Sequence, residues 1–292
     1  MKTFPVCLIP ILLMSWSFAE DGNTDSSSER DLLLDLDADH GLTLEDGDRV
    51  GGWKNQVKDA KAVDFVKRDE GRAEPGSGRP VLRKAAKELN GHNALVFRQG
   101  ELVNMDEDVF DGLTTGKGFT WICVLAVHDQ RVGLKDVNSF FGNLRNGEKY
   151  EGLWGNVRDD NTLWTGARNG ITFGRFDENN PEVVGPVLEK DRFHIVASRM
   201  GSGTGEQTIE LFVNATEAFT KHAFPVTPDA NPSRMTVGQE RDAIQHPGKE
   251  SFDGEIARLL IYQRPLGDGE LATLISQLQE KYGLRPTTRD NR

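Results

Sequence analysis

The chain has almost no cysteine. Two occur in 292 residues, Cys7 and Cys123. It also has no surplus of positive charge: 35 Lys and Arg face 46 Asp and Glu, a formal net charge of −11. Binding to nucleic acid or to an anionic membrane surface by charge alone needs the opposite balance, so no nucleic-acid partner is expected. No apolar run reaches the roughly 20 residues that span a bilayer, and no span is expected in the mature chain. Common catalytic signatures are missing too. There is no His-Glu-x-x-His, and no serine sits in Gly-x-Ser-x-Gly. The glycine-rich run at 201–205 continues into Glu206 and completes no phosphate loop. The six histidines, His40, His92, His128, His194, His222 and His246, are scattered without ligand spacing. Because His194 alternates with core-like Phe193 and Ile195, it is expected on the outer face of its sheet.

What is present begins with an export signal. Lys2 supplies a positive start, residues 4–14 are apolar apart from Pro5 and Pro10, and Ser17-Phe18-Ala19 ends in small residues. That pattern predicts a signal peptide over 1–19, cleaved near Ala19, and a periplasmic or extracellular protein. Cleavage removes Lys2 as the one charged residue, so the mature charge moves from −11 to −12. Cys123 is then left without a partner for an intramolecular disulfide. It lies in Phe119-Thr120-Trp121-Ile122-Cys123-Val124-Leu125-Ala126-Val127, apolar on both faces, and reads as an inert core residue. Residues 20–30 are acidic and Ser-rich and read as a disordered linker. Residues 285–292 read as a flexible tail. Between them no composition shift or repeat divides the chain, and 31–284 reads as one domain.

Within it the pattern is mostly period two. Leu32, Leu34, Leu36 and Ala38 alternate with Leu33, Asp35, Asp37 and Asp39, which predicts a strand with one wet face. Ala94-Leu95-Val96-Phe97 follows the turn signal Asn90-Gly91. Residues 119–127 read as a central strand. Residues 139–142, 170–174, 192–200, 208–213 and 234–238 are further strand candidates, and 201–205 reads as a hairpin loop. Residues 252–266 read as a buried closing strand. After it Leu271, Leu274, Ile275, Leu278 and Tyr282 share one helical face. The expectation is an all-β, two-sheet antiparallel β-sandwich with a short C-terminal α-helix. A chain of this length can fill the core between two sheets.

Several stretches carry a resemblance. They are Leu36-Asp37-Ala38-Asp39 with Gly41 and Val50-Gly51-Gly52-Trp53, then Arg79-Pro80 with Asn90-Gly91, then Glu210-Leu211-Phe212-Val213-Asn214, and above all the closing strand and helix. Together they resemble a laminin-G-like jelly-roll domain of the bacterial secreted type, in the concanavalin A-like lectin/glucanase superfamily. Three departures stand out. Asn55-Gln56 stands where the family usually has Asp-x-Ser-Gly. The Asn214-Ala215 turn replaces Asn-Gly, and Arg258 stands where Glu is common. The matching motifs are turn and core signatures, so the resemblance implies the concanavalin A-like jelly roll and leaves the activity open.

That superfamily contains both lectins and glycan-cleaving enzymes. Retaining glycosidases place two carboxylates about 5 Å apart, and laminarinase-like members carry them as Glu-x-Asp-x-x-Glu, which this chain lacks. The nearest groups, Asp106-Glu107-Asp108, Glu206 with Glu210, and Asp253 with Glu255, read as solvated acids. No catalytic residue is assigned. The resemblance also raises the question of calcium, held in several relatives by oxygen donors. Asp35, Asp37 and Asp39, or Asp159 and Asp160, are the candidates, though the first set suits a wet strand face and the second an ordinary turn.

The best binding candidates are Tyr150, Trp154, Trp164, Arg168 and Asn169. Aromatic faces stack on the C–H surface of sugars while amide and guanidinium groups bond hydroxyls. The alternative is that Trp154 and Trp164 pack inside the protein, as Trp53 and Trp121 do more plainly. The expectation is a non-enzymatic binding or adhesion module for a glycan or a cell-surface protein, with Trp154 and Trp164 at least partly exposed. A glycoside hydrolase or polysaccharide lyase, or a structural envelope domain, is the alternative.

Overall fold

The computed structural model describes residues 31–67, 78–130, 137–173, 176–240 and 250–284. The expected leader, linker and tail lie outside the described residues. The first part of the chain forms β1 (Leu32–Asp37), β2 (Leu42–Leu44), β3 (Val50–Lys54), β4 (Asp64–Val66), β5 (Val81–Arg83), β6 (Ala94–Arg98) and β7 (Leu102–Asn104). Next come β8 (Phe119–Val127), β9 (Asn138–Gly142), β10 (Arg145–Asn146), β11 (Tyr150–Val157) and β12 (Thr162–Asn169). The rest are β13 (Val183–Val187), β14 (Phe193–Met200), β15 (Gly205–Val213), β16 (Thr220–Val226), β17 (Thr236–Val237) and β18 (Asp253–Tyr262). One helix, α1 (Asp268–Tyr282), follows β18.

The strands form two antiparallel sheets. The first runs β16-β15-β14-β8-β18-β6-β5, with β1 on the far half of β18. The second runs β13-β12-β11-β9-β17-β7-β4-β3-β2, with β10 on β11. The core between them includes Leu36, Phe97, Trp121, Cys123, Leu125, Val196, Leu211 and Leu259 from the first sheet. Trp53, Phe65, Phe141, Leu153, Val157 and Leu163 meet them from the second. Cys123 is fully buried, and burial pushes its thiol well above the ordinary range.

The first sheet is apolar on both faces. Ile122, Val124, Phe193, Ile195, Leu260 and Tyr262 form its outer side, and Leu271, Ile275, Leu278 and Tyr282 of α1 cover them. Each such side chain contributes roughly 1.5–3 kcal/mol on burial. The helix opens with the Glu270 carboxylate accepting the Gly267 N–H at 2.9 Å, and it closes on Gly283 in the left-handed region, φ 67°.

This second apolar layer corrects two expectations. His194 lies on the inner side with Val196, while Phe193 and Ile195 face the helix. Its ring is buried at the sandwich edge, bonded to Asn214 and to the Glu189 carbonyl. The supposed wet face of β1 is likewise covered. Asp37 is buried, and Asp35 is half-buried against Arg258. Two strand candidates also shorten. The 234–238 candidate reduces to β17, and 170–173 is not strand, because β12 ends at Asn169 and Gly170 turns the chain at φ 74°. Residue 174 lies outside the described residues.

His128 links the end of β8 to β18. Its Nδ1 is 2.6 Å from Asp191 Oδ1, and its Nε2 is 3.4 Å from Glu255 Oε1. Glu255 also accepts two bonds from Arg83, at 2.9 and 3.0 Å. The Glu255 bond raises the His128 pKa most; burial opposes it, and Asp191 adds to the rise. A pKa raised on folding stabilises below the ordinary value of 6.5 and loses that contribution as pH rises through the folded value. Denaturant titrations between about pH 6 and about pH 8 should show stability falling with pH, with a shallower fall in His128→Gln. Identical pH profiles for the two proteins would show that His128 carries no such contribution.

Candidate functional site

The outer face of the second sheet carries the predicted aromatics. In β11, Leu153 and Val157 point into the core, so Trp154 points outward. In β12, Leu163 and Ala167 point inward, and Trp164 and Arg168 therefore point outward. The register pairs Trp154 with Gly166, Asn156 with Trp164, and Gly152 with Arg168. Trp154 is thus the diagonal neighbour of both Trp164 and Arg168. Gly166 has a particular use: a Cβ there would lie 2.8 Å from Trp154 Cζ2, so only glycine lets the indole lie against β12.

The structure brings together four of the five predicted binding residues, but not as an open surface. Trp154 and Trp164 are 0% and 1% exposed, so the expected exposure is not found. They meet edge-to-face at 5.3 Å and pack with Val137 and Leu144. The Arg168 guanidinium lies 4.8 Å from the Trp154 ring centre, 5.3 Å from Tyr150 and 5.9 Å from Phe176, and donates to the Asn180 carbonyl at 3.2 Å. Such cation–π contacts strengthen when desolvated. Asn169 stands apart from this cluster and is also buried. Its side chain donates to the Pro225 carbonyl at 2.9 Å and accepts the Ile171 N–H, tying the end of β12 to β16 of the other sheet.

Two aromatics beside this cluster are exposed, and neither is among the expected binding residues. Phe173 is 52% exposed and Phe176 is 44% exposed. Phe173 stacks on Tyr150 at 4.4 Å with an 11° interplanar angle. Phe176 meets Trp164 edge-to-face at 5.6 Å. Aromatic contacts therefore run from buried Trp154 through Trp164 to Phe176 at the surface. The signal that could have found Phe173 is the glycine pair around it, Gly170 and Gly174, which marks a loop more than a strand.

Phe176 forms one lip of a cleft of about 700 Å³. The cleft lies where the loop between β12 and β13 faces the β15–β16 edge of the other sheet. Asp177, Glu178, Asn179 and Glu182 line one side, and Glu206, His222 and Phe224 the other. Asp177 braces the loop: its carboxylate accepts from the Thr172 hydroxyl at 2.9 Å, the Asn179 N–H at 2.9 Å and the Asn180 amide at 3.1 Å. What burial it has raises its pKa, but these bonds outweigh that and hold it below the ordinary value. Glu182 is ion-paired with Arg158.

A carboxyl with raised proton affinity lies elsewhere. Burial, with help from Asp108, pushes Asp111 up to about 6, but Asp111 does not line the cleft. In the nearby Asp106-Glu107-Asp108 run, Glu107 is engaged by Arg145 at 2.6 Å and Arg234 at 3.5 Å.

The calcium candidates are occupied by protein partners. Arg258 holds Asp35 through two bonds of 2.9 Å, Lys281 holds Asp37 at 2.8 Å, and His92 meets Asp39 at 2.6 Å. Asp160 accepts the Thr162 N–H, and Asp159 accepts from the Asn138 amide. Among the described residues, no three His, Cys, Asp or Glu side chains are grouped to hold a metal ion. Among them, too, no helix is long and apolar enough to cross a membrane.

The sequence matches no family model, and no curated relative is detected. Solved structures do resemble the chain. A Trypanosoma rangeli sialidase in complex with sialic acid is 12% identical with a TM-score of 0.50, over 86% of this chain and 33% of that one. The chain thus spans a third of that sialidase's length. The CBM40 of Ruminococcus gnavus IT-sialidase, bound to alpha2,3 sialyllactose, is 17% identical with a TM-score of 0.43, over 56% of this chain and 85% of that one. A leech intramolecular trans-sialidase is 19% identical with a TM-score of 0.42, over 60% and 24%. At such identities the likeness is one of β-sandwich fold.

Proposed function

We propose that this chain is an exported, non-enzymatic glycan-binding module on a laminin-G-like jelly roll, and that its ligand lies in the cleft beside Phe176. The observation that carries this is an exposed aromatic lip on a cleft that mixes apolar side chains with carboxylates and an amide. Phe176 offers a ring face to sugar C–H surfaces, and the carboxylates and the Asn179 amide that line the cleft accept from and donate to hydroxyls. Trp154, Trp164 and Arg168 serve as the base on which Phe176 rests. A binding role suits the electrostatics better than hydrolysis. Asp177 is held in its ionised form, and the carboxyl with raised proton affinity lies outside the cleft.

A glycan-array screen of the purified protein, with and without calcium, tests this. Binding should weaken about tenfold in Phe176→Ala, as expected for losing one stacking face with its apolar contact, while the thermal midpoint stays near that of the wild type. Calcium dependence would add a metal to the site. Silence across the array in both conditions would overturn the glycan reading in favour of a protein ligand.

A further inference from the structure

The charge around this cleft says more about its ligand. We infer that the cleft selects glycans bearing protonated amines and rejects anionic ones; this rests on the glycan reading above. Asp177, Glu178, Glu182 and Glu206 all line it, and among the described residues no Lys or Arg does. Two of the four charges are already engaged, Glu182 by Arg158 and Asp177 by its own loop. Glu178 and Glu206 are exposed and make no ion pair with any described residue. They stand on opposite sides of the cleft, one on the β12–β13 loop and one on β15. An amine seated between these groups gains from each of them. A carboxylate or sulfate there meets two unpaired carboxylates in a chain of net charge −11. This sets the cleft apart from sites that take acidic sugars.

Calorimetric titration with three matched oligosaccharides tests the inference: a β-linked glucosamine tetramer at mildly acidic pH, its N-acetylated counterpart and an oligogalacturonate. The amine-bearing oligomer should bind about tenfold more tightly than the N-acetylated one, the sum of two surface ion pairs, and the uronate should bind weakest. Raising salt to about 0.5 M should shrink the preference, since screening acts strongly on exposed pairs. Glu178→Gln with Glu206→Gln should shrink it at low salt. Equal binding of the amine-bearing and N-acetylated oligomers, or tightest binding of the uronate, would overturn the charge selection and leave the glycan reading standing. Failure of all three to bind would overturn the charge selection, and the glycan reading falls with it only if the array is silent as well.

Discussion

Trp154→Ala should unfold the protein more readily by about 3–5 kcal/mol, the usual cost of emptying a fully buried tryptophan site. For a domain of this size that lowers the thermal midpoint by on the order of 10 °C. The magnitude follows from what the indole touches. It packs edge-to-face on Trp164, lies against Gly166 and sits 4.8 Å beneath the Arg168 guanidinium. Truncation leaves a void and takes the nearest ring from a buried cation. Neither Gly166 nor the β11–β12 register allows a neighbour to move in. Trp154→Phe keeps an aromatic partner for both and should recover more than half of the loss. Thermal and denaturant unfolding decide the matter, followed by glycan affinity measured well below the midpoint. A midpoint within about 2 °C of wild type, with affinity abolished, would return Trp154 to the role of direct ligand contact.

The tryptophans were legible by their chemistry, while β11 and β12, which hold them, were not among the expected strands. The alternation of Leu153, Val157 and Leu163 with Trp154 and Trp164 places both rings on one face. Alternation does not say whether that face is wet. Here Arg168, Tyr150 and Phe176 lie over the indoles, and the exposed stacking surface moves outward to Phe173 and Phe176. Those two rings sit in a loop shaped by Asp177 and Asn180 hydrogen bonds, which have no periodic signature. Glu206 belongs to the cleft only because β15 lies beside the β12–β13 loop, a proximity set by how the two sheets stack.

The fold was read more fully, for the same reason. β8 matches its expected bounds, and the helical face of α1 is buried at Leu271, Ile275, Leu278 and Tyr282. These elements are long, and hydrophobicity dominates their pattern. In the first sheet the misplaced features lie where a third layer covers it. His194 and Asp37 were assigned as for a two-layer sandwich. With α1 on the outer side, a face carrying Asp35 and Asp37 is half-buried and needs cations, not water.

Arg258 is one of those cations, and its replacement is the second large effect expected. It donates to both Asp35 oxygens at 2.9 Å and lies 3.8 Å from Asp37, whose other cation is Lys281 of α1. Only 14% of the Asp35 side chain and 7% of that of Asp37 are exposed. Removing one partner of a buried pair costs about 3–5 kcal/mol, chiefly because the other charge is left unpaired. With Lys281 still in place and the site partly open, Arg258→Ala should cost about 2–3 kcal/mol. Arg258→Glu should cost more, because three carboxylates then share one covered surface. That loss should ease in acid as the carboxylates protonate. In wild type, burial raises the Asp37 pKa, but the Lys281 bond and the other partners outweigh it and leave it lowered. Its stabilisation is therefore full above the ordinary value of 3.8 and fades as pH falls through the folded value. A double-mutant cycle pairing Asp35→Ala with Arg258→Ala should return a coupling of about 2 kcal/mol. Coupling below about 0.5 kcal/mol would mean that the Asp35–Arg258 pair contributes almost nothing to holding β1 on β18.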